Sequence, residues 1–167
     1  MTSTMSLPNT IRVETQRRLR VCIGASAGGH LSQLLRLATV WEGHKVCCVS
    51  TLPLVASRLQ SIGPVHLLGE CNRRHPLKAL RILFKAIRIV RAERPDVVIT
   101  TGALPLALLC LVAKLHGARV IWIDSVANVK RLSVSGRFVR LFADLCLTQW
   151  PNVQKRYKNV EYAGALI

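Results

Sequence analysis

The chain has 167 residues, of which 50% are apolar and 19% charged, and this balance indicates one globular domain rather than a two-domain enzyme, a disordered chain or a coiled coil. Lys and Arg number 24 against 8 Asp and Glu, for a net charge of +16. The expected partners are therefore anionic: phosphorylated molecules, an anionic membrane surface or nucleic acid. Aromatic residues make up only 5% of the chain, which disfavours the binding of single strands by base stacking.

The amino-terminal segment and the cysteines bear on the cellular compartment. Residues 1–18 are polar and end in two arginines, so we predict a disordered leader and no signal peptide, followed by a single domain over 19–167. None of the six cysteines forms a C-x-x-C pair of the kind used in zinc or redox sites. Together these features predict buried, reduced cysteines and a cytoplasmic setting.

Apolar runs alternate with helical patterns along the rest of the chain. Strands are predicted at 19–24, 45–50, 65–68, 97–100, 119–123 and 145–148, and helices at 31–41, 54–61, 77–92, 105–116 and near 136–142. The uncharged segment 97–113 contains a Thr-Thr-Gly break and Pro105, so we predict a strand and a helix there rather than a membrane span. This alternation predicts an α/β fold with a single doubly wound parallel-sheet (Rossmann-like) domain.

In such a fold, ligands bind beyond the carboxyl ends of the strands, which here means residues 24–30, 101–105 and 124–131. The first of these segments is glycine-rich and opens a helix, where backbone amides and the helix dipole attract phosphate. A tight turn without a ligand is the alternative. The loop lacks the G-x-G-x-x-G spacing and no acidic residue ends the second strand, so NAD is not expected. No cofactor is predicted.

His30 lies at the mouth of the glycine-rich loop. A neutral imidazole at this position is suited to accept a proton from a hydroxyl nucleophile, although a histidine that only caps or packs is an equal alternative. The other histidines are scattered without ligand spacing, so no metal site is predicted. Asp124 ends another strand at the same edge and is followed by cationic and hydroxyl residues that suit a sugar and its phosphates. The alternative for Asp124 is a cap for the next segment.

Residues 73–94 carry a run of cations, and Lys78, Arg81, Lys85 and Arg88 repeat at helical spacing. The apolar residues are expected on the opposing arc; they are Leu80, Leu83, Phe84, Ile87 and Val90. This pattern predicts a basic amphipathic helix that lies on anionic lipid. The alternative is a solvated face on a helix whose apolar arc packs against the sheet.

The last residues, 160–167, are mostly apolar, whereas chain termini are usually polar and mobile. An exposed apolar segment favours association, so we predict that Tyr162, Leu166 and Ile167 dock a partner. A final edge strand on the domain's own sheet is the alternative.

These segments resemble a family of split glycosyltransferase subunits. The resemblance rests on the loop ending in Gly28-Gly29-His30 and on the segments PDVVITTG at 95–102, WIDSVA at 122–127, DLCLTQWP at 144–151 and YAG at 162–164, together with Lys130 and Ser133. It covers the chain from about residue 19 to the end. The eukaryotic member of the family is the membrane-anchoring subunit of the N-acetylglucosaminyldiphosphodolichol N-acetylglucosaminyltransferase. Bacterial PssD-type members serve exopolysaccharide synthesis.

The resemblance implies the equivalent of the N-terminal half of a GT-B glycosyltransferase, with the UDP-sugar site on a separate donor-binding subunit. It implies inverting transfer of N-acetylglucosamine or glucuronate to a polyprenyl-diphosphate-linked saccharide acceptor, in polysaccharide or glycolipid biosynthesis. The chain would act peripherally at the cytoplasmic face of the cell membrane. Two other hypotheses stay open: a non-catalytic membrane adaptor, and a basic nucleic-acid-binding α/β module, for which no recognition motif is visible.

Under this interpretation His30 is the first candidate base and Asp124 the second. The predicted acceptor and phosphate ligands are Ser26, Gly28, Gly29, Thr101, Gly102, Ser125, Lys130 and Arg131. The predicted membrane contacts are Lys78, Arg81, Phe84, Lys85 and Arg88.

Overall fold

The computed structural model describes residues 17–26, 29–71 and 76–166. Within them the strands are β1 (Arg20–Ala25), β2 (Lys45–Ser50), β3 (Val65–Leu67), β4 (Val97–Thr100), β5 (Arg119–Ile123), β6 (Leu145–Thr148) and β7 (Glu161–Tyr162). The helices are α1 (Gly29–Leu35), α2 (Ala38–Trp41), α3 (Pro53–Leu59), α4 (Pro76–Glu93), α5 (Leu104–Leu115), α6 (Val134–Val139) and α7 (Pro151–Gln154).

The strands form one seven-stranded sheet in the order β3-β2-β1-β4-β5-β6-β7, and every neighbouring pair is parallel. The predicted doubly wound, Rossmann-like fold is therefore confirmed. The chain moves outward from β1 to β3 and then returns to place β4 on the other side of β1. At such a switch point the two connections leave in opposite directions and open a crevice at the carboxyl ends of β1 and β4.

The sheet separates two hydrophobic layers, because alternate residues of a strand point to opposite faces. In β1, Val21 and Ile23 belong to the layer beneath α1 and α3, whereas Cys22 belongs to the layer beneath α4 and α5. Both faces of the central strands are covered. This explains why those strands are continuously apolar in the sequence rather than alternating.

Most predicted elements are present, with differences at a few boundaries. The helix predicted over 31–41 is interrupted at 36–37 and forms α1 and α2. Helix α6 begins earlier than predicted, because Ser133 caps it: the Ser133 hydroxyl accepts a hydrogen bond from the Gly136 amide at 2.8 Å. The apolar segment 97–113 forms β4 and most of α5, and among the described residues no helix is long and apolar enough to cross a membrane.

The predicted apolar arc of α4 is wrong in part. The residues of α4 that are buried in the core are Ile82, Ala86, Ile89 and Val90. Leu80 and Phe84 lie instead on the solvent side, with 48% and 60% of their surface exposed. A step of 100° per residue places these two side chains to one side of the buried face, and no other described element covers them.

Candidate functional site

His30 and Thr101 join the two strands at the switch point. His30 follows β1 at the start of α1, and Thr101 directly follows β4. The ring Nδ1 of His30 lies 2.6 Å from the main-chain oxygen of Thr101, and the Thr101 hydroxyl donates to the main-chain oxygen of His30 at 2.8 Å. These reciprocal hydrogen bonds hold the imidazole at the carboxyl edge of the sheet, as predicted for a residue that meets a ligand there.

The hydrogen bond to Thr101 determines which ring nitrogen of His30 is available. A carbonyl oxygen only accepts, so Nδ1 must carry the proton, and in the neutral ring Nε2 then has a free lone pair. Nε2 has no hydrogen-bond partner among the described residues, and the side chain is only partly buried. The geometry therefore leaves a proton acceptor without a partner at the carboxyl edge of the sheet.

Gly102 gives the imidazole its space. Its φ is +132°, in the region that L residues with side chains rarely adopt. A Cβ atom at this position would lie 2.7 Å from Cε1 of His30. Glycine is thus required both by the backbone and by the close approach of the ring. The sequence placed Thr101 and Gly102 among the ligand-binding residues, whereas the structure shows them positioning His30.

Asp124, the second candidate base, is buried with 1% of its surface exposed. Its Oδ1 accepts hydrogen bonds from the Ser133 hydroxyl at 2.6 Å and from Trp122 Nε1 at 3.3 Å, and its Oδ2 accepts from the Ser133 amide at 2.8 Å. Both carboxylate oxygens are thus engaged with protein donors. This geometry favours the alternative role considered for Asp124, the anchoring of the segment that follows it.

The segment between Asp124 and Ser133 carries the predicted cationic ligands. The hydrogen bonds between Asp124 and Ser133 join the two ends of this segment; we call them the Asp124 clasp. In addition, Trp150 Nε1 donates to the oxygen of Val126 at 2.6 Å, and Asn152 Nδ2 donates to the oxygen of Val129 at 2.7 Å. Lys130 and Arg131 lie exposed on this tethered loop, and Ser125 is partly buried at its start. The loop is therefore an ordered support for two positive charges beyond the carboxyl edge of β5.

Gln149 connects the site to the carboxyl-terminal segment, and its role was not predicted. Its Nε2 donates to Gln33 Oε1 on α1 at 3.1 Å and to the main-chain oxygen of Asp124 at 2.9 Å. Its Oε1 accepts from the amide of Leu166 at 2.8 Å. The signal in the sequence was a polar residue directly after β6, at the same edge as the other site residues.

The glycine-rich loop is described only in part. Ser26 is partly buried after β1, and Gly29 opens α1 with free space where a side chain would stand. Gly28 lies outside the described residues. Phosphate binding by this loop stays a prediction.

Helix α4 presents two adjacent stripes to solvent. Lys78, Arg81, Lys85 and Arg88 are all exposed, as predicted. Beside them lie Leu80 and Phe84 with Leu77, which is 75% exposed. The surface is therefore both basic and apolar, the combination found in helices that lie at a membrane interface.

The carboxyl-terminal segment forms the edge strand that was the alternative to partner docking. Tyr162 lies in β7, which pairs with β6, and remains partly exposed. Leu166 packs against the hydrophobic layer beneath α1, whereas Ile167 lies outside the described residues. Because β7 is the last strand of the sheet, one of its edges is free to meet a partner.

The family model described as "Oligosaccharide biosynthesis protein Alg14 like" matches residues 67–166, a region that contains the Asp124 clasp, Gln149 and β7. The chain belongs to this family. Among curated relatives, the UDP-N-acetylglucosamine transferase subunit ALG14 of Eremothecium gossypii is 34% identical over 181 residues, covering 88% of this chain and 80% of the relative. The subunit of the same name from Yarrowia lipolytica is 34% identical over 88 residues, covering 49% of this chain and 41% of the relative. The predicted family is confirmed for its eukaryotic branch, and the PssD-type branch stays a prediction.

Solved structures with the same fold are larger proteins. MurG of Acinetobacter baumannii superposes with a TM-score of 0.69 at 19% identity, over 87% of this chain and 45% of that one. A UDP-N-acetylglucosamine 2-epimerase gives the same TM-score of 0.69 at 13% identity, over 89% of this chain and 48% of that one. This Alg14-like chain therefore spans just under half the length of either protein. The predicted correspondence to one half of a GT-B fold is confirmed.

Proposed function

We propose that this Alg14-like chain is the acceptor-binding subunit of a two-component inverting glycosyltransferase. The observation that carries the proposal is His30 at the switch point, with Nδ1 bound to Thr101 and Nε2 without a hydrogen-bond partner among the described residues. The curated relatives are named as UDP-N-acetylglucosamine transferase subunits, which supports the enzyme class and favours N-acetylglucosamine over glucuronate as the transferred sugar. The acceptor is a polyprenyl-diphosphate-linked saccharide in the synthesis of oligosaccharide or glycolipid.

In the proposed reaction, an acceptor hydroxyl attacks the anomeric carbon of the UDP-sugar on the face opposite the leaving group. His30 Nε2 takes the hydroxyl proton as the new C–O bond forms, and UDP departs with the electrons of the broken bond. In the resulting imidazolium, Nδ1–H still donates to the Thr101 oxygen, and the carbonyl dipole stabilises the positive charge. One displacement of this kind inverts the anomeric configuration.

The cationic loop supplies the second part of the site. Lys130 and Arg131 stand exposed on the segment that Asp124 and Ser133 hold in place. We assign them to the diphosphate of the acceptor, because paired cations on a preformed support bind phosphate without further ordering of the loop. The donor nucleotide is assigned to a separate subunit, because the curated relatives are named as subunits of a transferase.

The membrane contact is assigned to α4. Its exposed cations attract anionic headgroups, at about 1 kcal/mol for each residue near the surface. Leu77, Leu80 and Phe84 add apolar surface beside them that is able to enter the headgroup boundary. We place this face of the domain peripherally on the cytoplasmic leaflet of the cell membrane, where the lipid-linked acceptor is within reach of His30.

The decisive experiment compares the chain alone with the chain plus a UDP-sugar-binding subunit, with UDP-N-acetylglucosamine and a short polyprenyl-diphosphate saccharide as substrates. Transfer should require both subunits, and His30→Ala should lower turnover of the complex by about 10² to 10⁴, the range for loss of a general base. Ser32→Ala, at an exposed position of the same helix, is the matched control. Full turnover without a partner would reject the split enzyme, and an active His30→Ala complex would reject the assigned base.

Membrane binding is tested by reversing the four stripe cations, Lys78, Arg81, Lys85 and Arg88, to Glu. The control reverses four other exposed cations, Arg58, Lys155, Arg156 and Lys158, which lowers the net charge by the same amount. Only the stripe variant should lose sedimentation with vesicles of phosphatidylcholine and phosphatidylglycerol. Equal loss in both variants would show that net charge, rather than α4, determines binding.

The hypothesis of a non-catalytic membrane adaptor makes a different prediction, namely that His30→Ala leaves the activity of the complex unchanged while membrane and partner binding persist. The net charge of +16 permits a nucleic-acid-binding module, but the cations of α4 alternate with exposed leucine and phenylalanine side chains, which argues against it.

A further inference from the structure

A cavity of about 670 Å³ lies at the end of the sheet opposite His30. Its lining includes Arg20, Arg91, Arg94, Asp96, His116 and Arg119. Arg20 and Arg119 open β1 and β5, and Asp96 directly precedes β4. Strand β1 rises about 17 Å from its first residue to its last, at about 3.3 Å per residue. The cavity is therefore separate from the crevice that holds the candidate active site.

The one carboxylate in this lining is already neutralised. Asp96 accepts hydrogen bonds from the Arg20 side chain at 2.8 and 3.1 Å and from the Arg20 amide at 2.8 Å. These contacts hold the pKa of Asp96 at about 2, so it stays ionised and paired. Among the described residues, Arg91, Arg94 and Arg119 have no carboxylate within 4.0 Å.

A second carboxylate lies nearby but is also paired. Asp144 binds Lys114 Nζ at 2.7 Å and the Val120 amide at 2.8 Å, and the positive charge of Arg119 adds to the lowering of its pKa. Asp144 is not part of the cavity lining. It therefore moderates the charge of Arg119 without filling the space in front of the arginines.

Helix dipoles do not account for this concentration of charge. Helices α4 and α5 end at the cavity, and each carboxyl terminus contributes about −0.5 elementary charge. Together with Asp96 the negative charge is about −2, against four arginines in the lining. Some of the end carbonyls are also engaged within the protein: Val90 O accepts from the Arg94 amide, and Val112 O lies 2.9 Å from Nδ1 of His116. About two positive charges remain without a counterpart.

Arg94 occupies a position where glycine is the usual residue. It follows the last residue of α4 with φ of +45°, the left-handed conformation that ends many helices and in which a side chain is unfavourable. The backbone would thus be more stable with glycine. Arg94 has a side chain there in spite of this conformational cost, and that side chain lines the cavity with two other unpaired arginines, which supports a binding role.

We propose that this cavity is a second anion site, which binds a phosphate-bearing ligand through Arg91, Arg94 and Arg119. Guanidinium groups bind phosphate oxygens in pairs, and all of the unpaired cations here are arginine rather than lysine. The volume lies in the range of about 300–1,000 Å³ typical of small-molecule sites. The phosphate belongs either to a soluble molecule or to the headgroup of an anionic lipid. Arg91 lies one helical turn beyond Arg88, so the cavity adjoins the basic stripe of α4.

The test is a calorimetric titration of the full chain with inorganic pyrophosphate, comparing the wild type with Arg94→Gly. Glycine suits the backbone at this position, so the variant should unfold at the same or a higher urea concentration. Its affinity for pyrophosphate should fall by about tenfold or more, because a charge-assisted contact is lost. Arg58→Gly, at an exposed position of α3, is a charge control whose affinity should equal that of the wild type.

Absence of saturable pyrophosphate binding by the wild type, or equal affinity in a folded Arg94→Gly protein, would overturn the proposal. A competition experiment shows whether the phosphate belongs to a lipid or to a soluble molecule. Vesicles of phosphatidylcholine and phosphatidic acid are added to the variant in which the four cations of the α4 stripe are replaced by Glu, with pyrophosphate bound. Displacement of pyrophosphate by these vesicles, dependent on Arg94, identifies a lipid headgroup as the ligand. Arg94-dependent pyrophosphate binding that the vesicles do not displace identifies a soluble ligand. Neither result depends on sugar transfer.

Discussion

Replacement of Asp124 by Asn separates a structural role for this carboxylate from a catalytic one. The wild-type carboxylate accepts from three protein donors in an environment that excludes water: Trp122 Nε1, the Ser133 hydroxyl and the Ser133 amide. Asparagine has one acceptor oxygen and an NH₂ group. If its oxygen faces Trp122, its NH₂ opposes the Ser133 amide; if the side chain is flipped, the NH₂ opposes the indole N–H of Trp122.

In either orientation at least one buried donor loses its acceptor, and the remaining hydrogen bonds lose the negative charge. A buried unsatisfied group costs about 1–3 kcal/mol, and weaker hydrogen bonds add to this. We expect Asp124→Asn to lower the free energy of unfolding by about 2–3 kcal/mol. For a domain of this size that lowers the thermal midpoint by about 5–10 °C. The side chain at position 124 has little space in which to move and form other hydrogen bonds, because it is tightly packed: a Cβ on Gly136 would lie only 2.7 Å from Asp124 Oδ1.

The measurement is urea unfolding followed by tryptophan fluorescence, together with turnover of the complex well below the unfolding transition. Ser133→Ala is the partner variant, and in a double-mutant cycle the two changes should be clearly non-additive because they remove the same contacts. An Asp124→Asn protein with wild-type stability and turnover reduced as far as in His30→Ala would refute the structural role. It would transfer the function of base to Asp124.

Three further outcomes follow from the geometry. Gly102→Ala should lower turnover by about 10²-fold, because its Cβ would displace the His30 ring by a large fraction of an ångström or more; wild-type kinetics would show that the ring position is unimportant. Arg20 lowers the pKa of Asp96 to about 2 in the folded protein. A carboxyl group whose pKa is lowered by folding stabilises the fold at pH values above its pKa in the unfolded chain, and this stabilisation is lost as the pH falls through its pKa in the folded protein. The stability difference between wild type and Arg20→Met should therefore be full above about pH 5, decline as the pH falls and vanish near about pH 1, and a difference independent of pH would contradict this. Gln149→Leu should release the carboxyl-terminal segment and weaken co-purification with the UDP-sugar-binding subunit, whereas unchanged co-purification would assign the segment to this domain's sheet alone.

Local patterns were sufficient to predict most of the elements. Strands β2, β4, β5 and β6 have the predicted bounds, because apolar runs that are short and bordered by turn residues favour buried parallel strands over helices. The edge at which ligands bind followed from the same alternation. Thr101 and Asp124 were therefore recognised as candidates from their places directly after strands, and His30 from its place at the mouth of the loop that follows β1.

The shortest elements were less predictable. The two residues of β7 and the four of α7 are too short for periodicity to identify them, and β7 exists because β6 offers it a free edge. The break between α1 and α2 was likewise not predictable, because the sequence has no glycine or proline there.

Which partner each site residue takes was decided only by the tertiary structure. Sequence position made Asp124 as good a candidate for the base as any carboxylate at a strand end. Burial beneath Trp122 and Ser133 engages both of its oxygens, whereas His30 keeps Nε2 open. Hydrogen bonds between residues 71 positions apart, such as His30 with Thr101, depend on the strand order β1-β4, and a single sequence carries no periodic signal for strand order. The same holds for the four arginines at the opposite edge of the sheet. They lie at helix ends and strand starts that are far apart in the chain, and the fold brings them to one cavity.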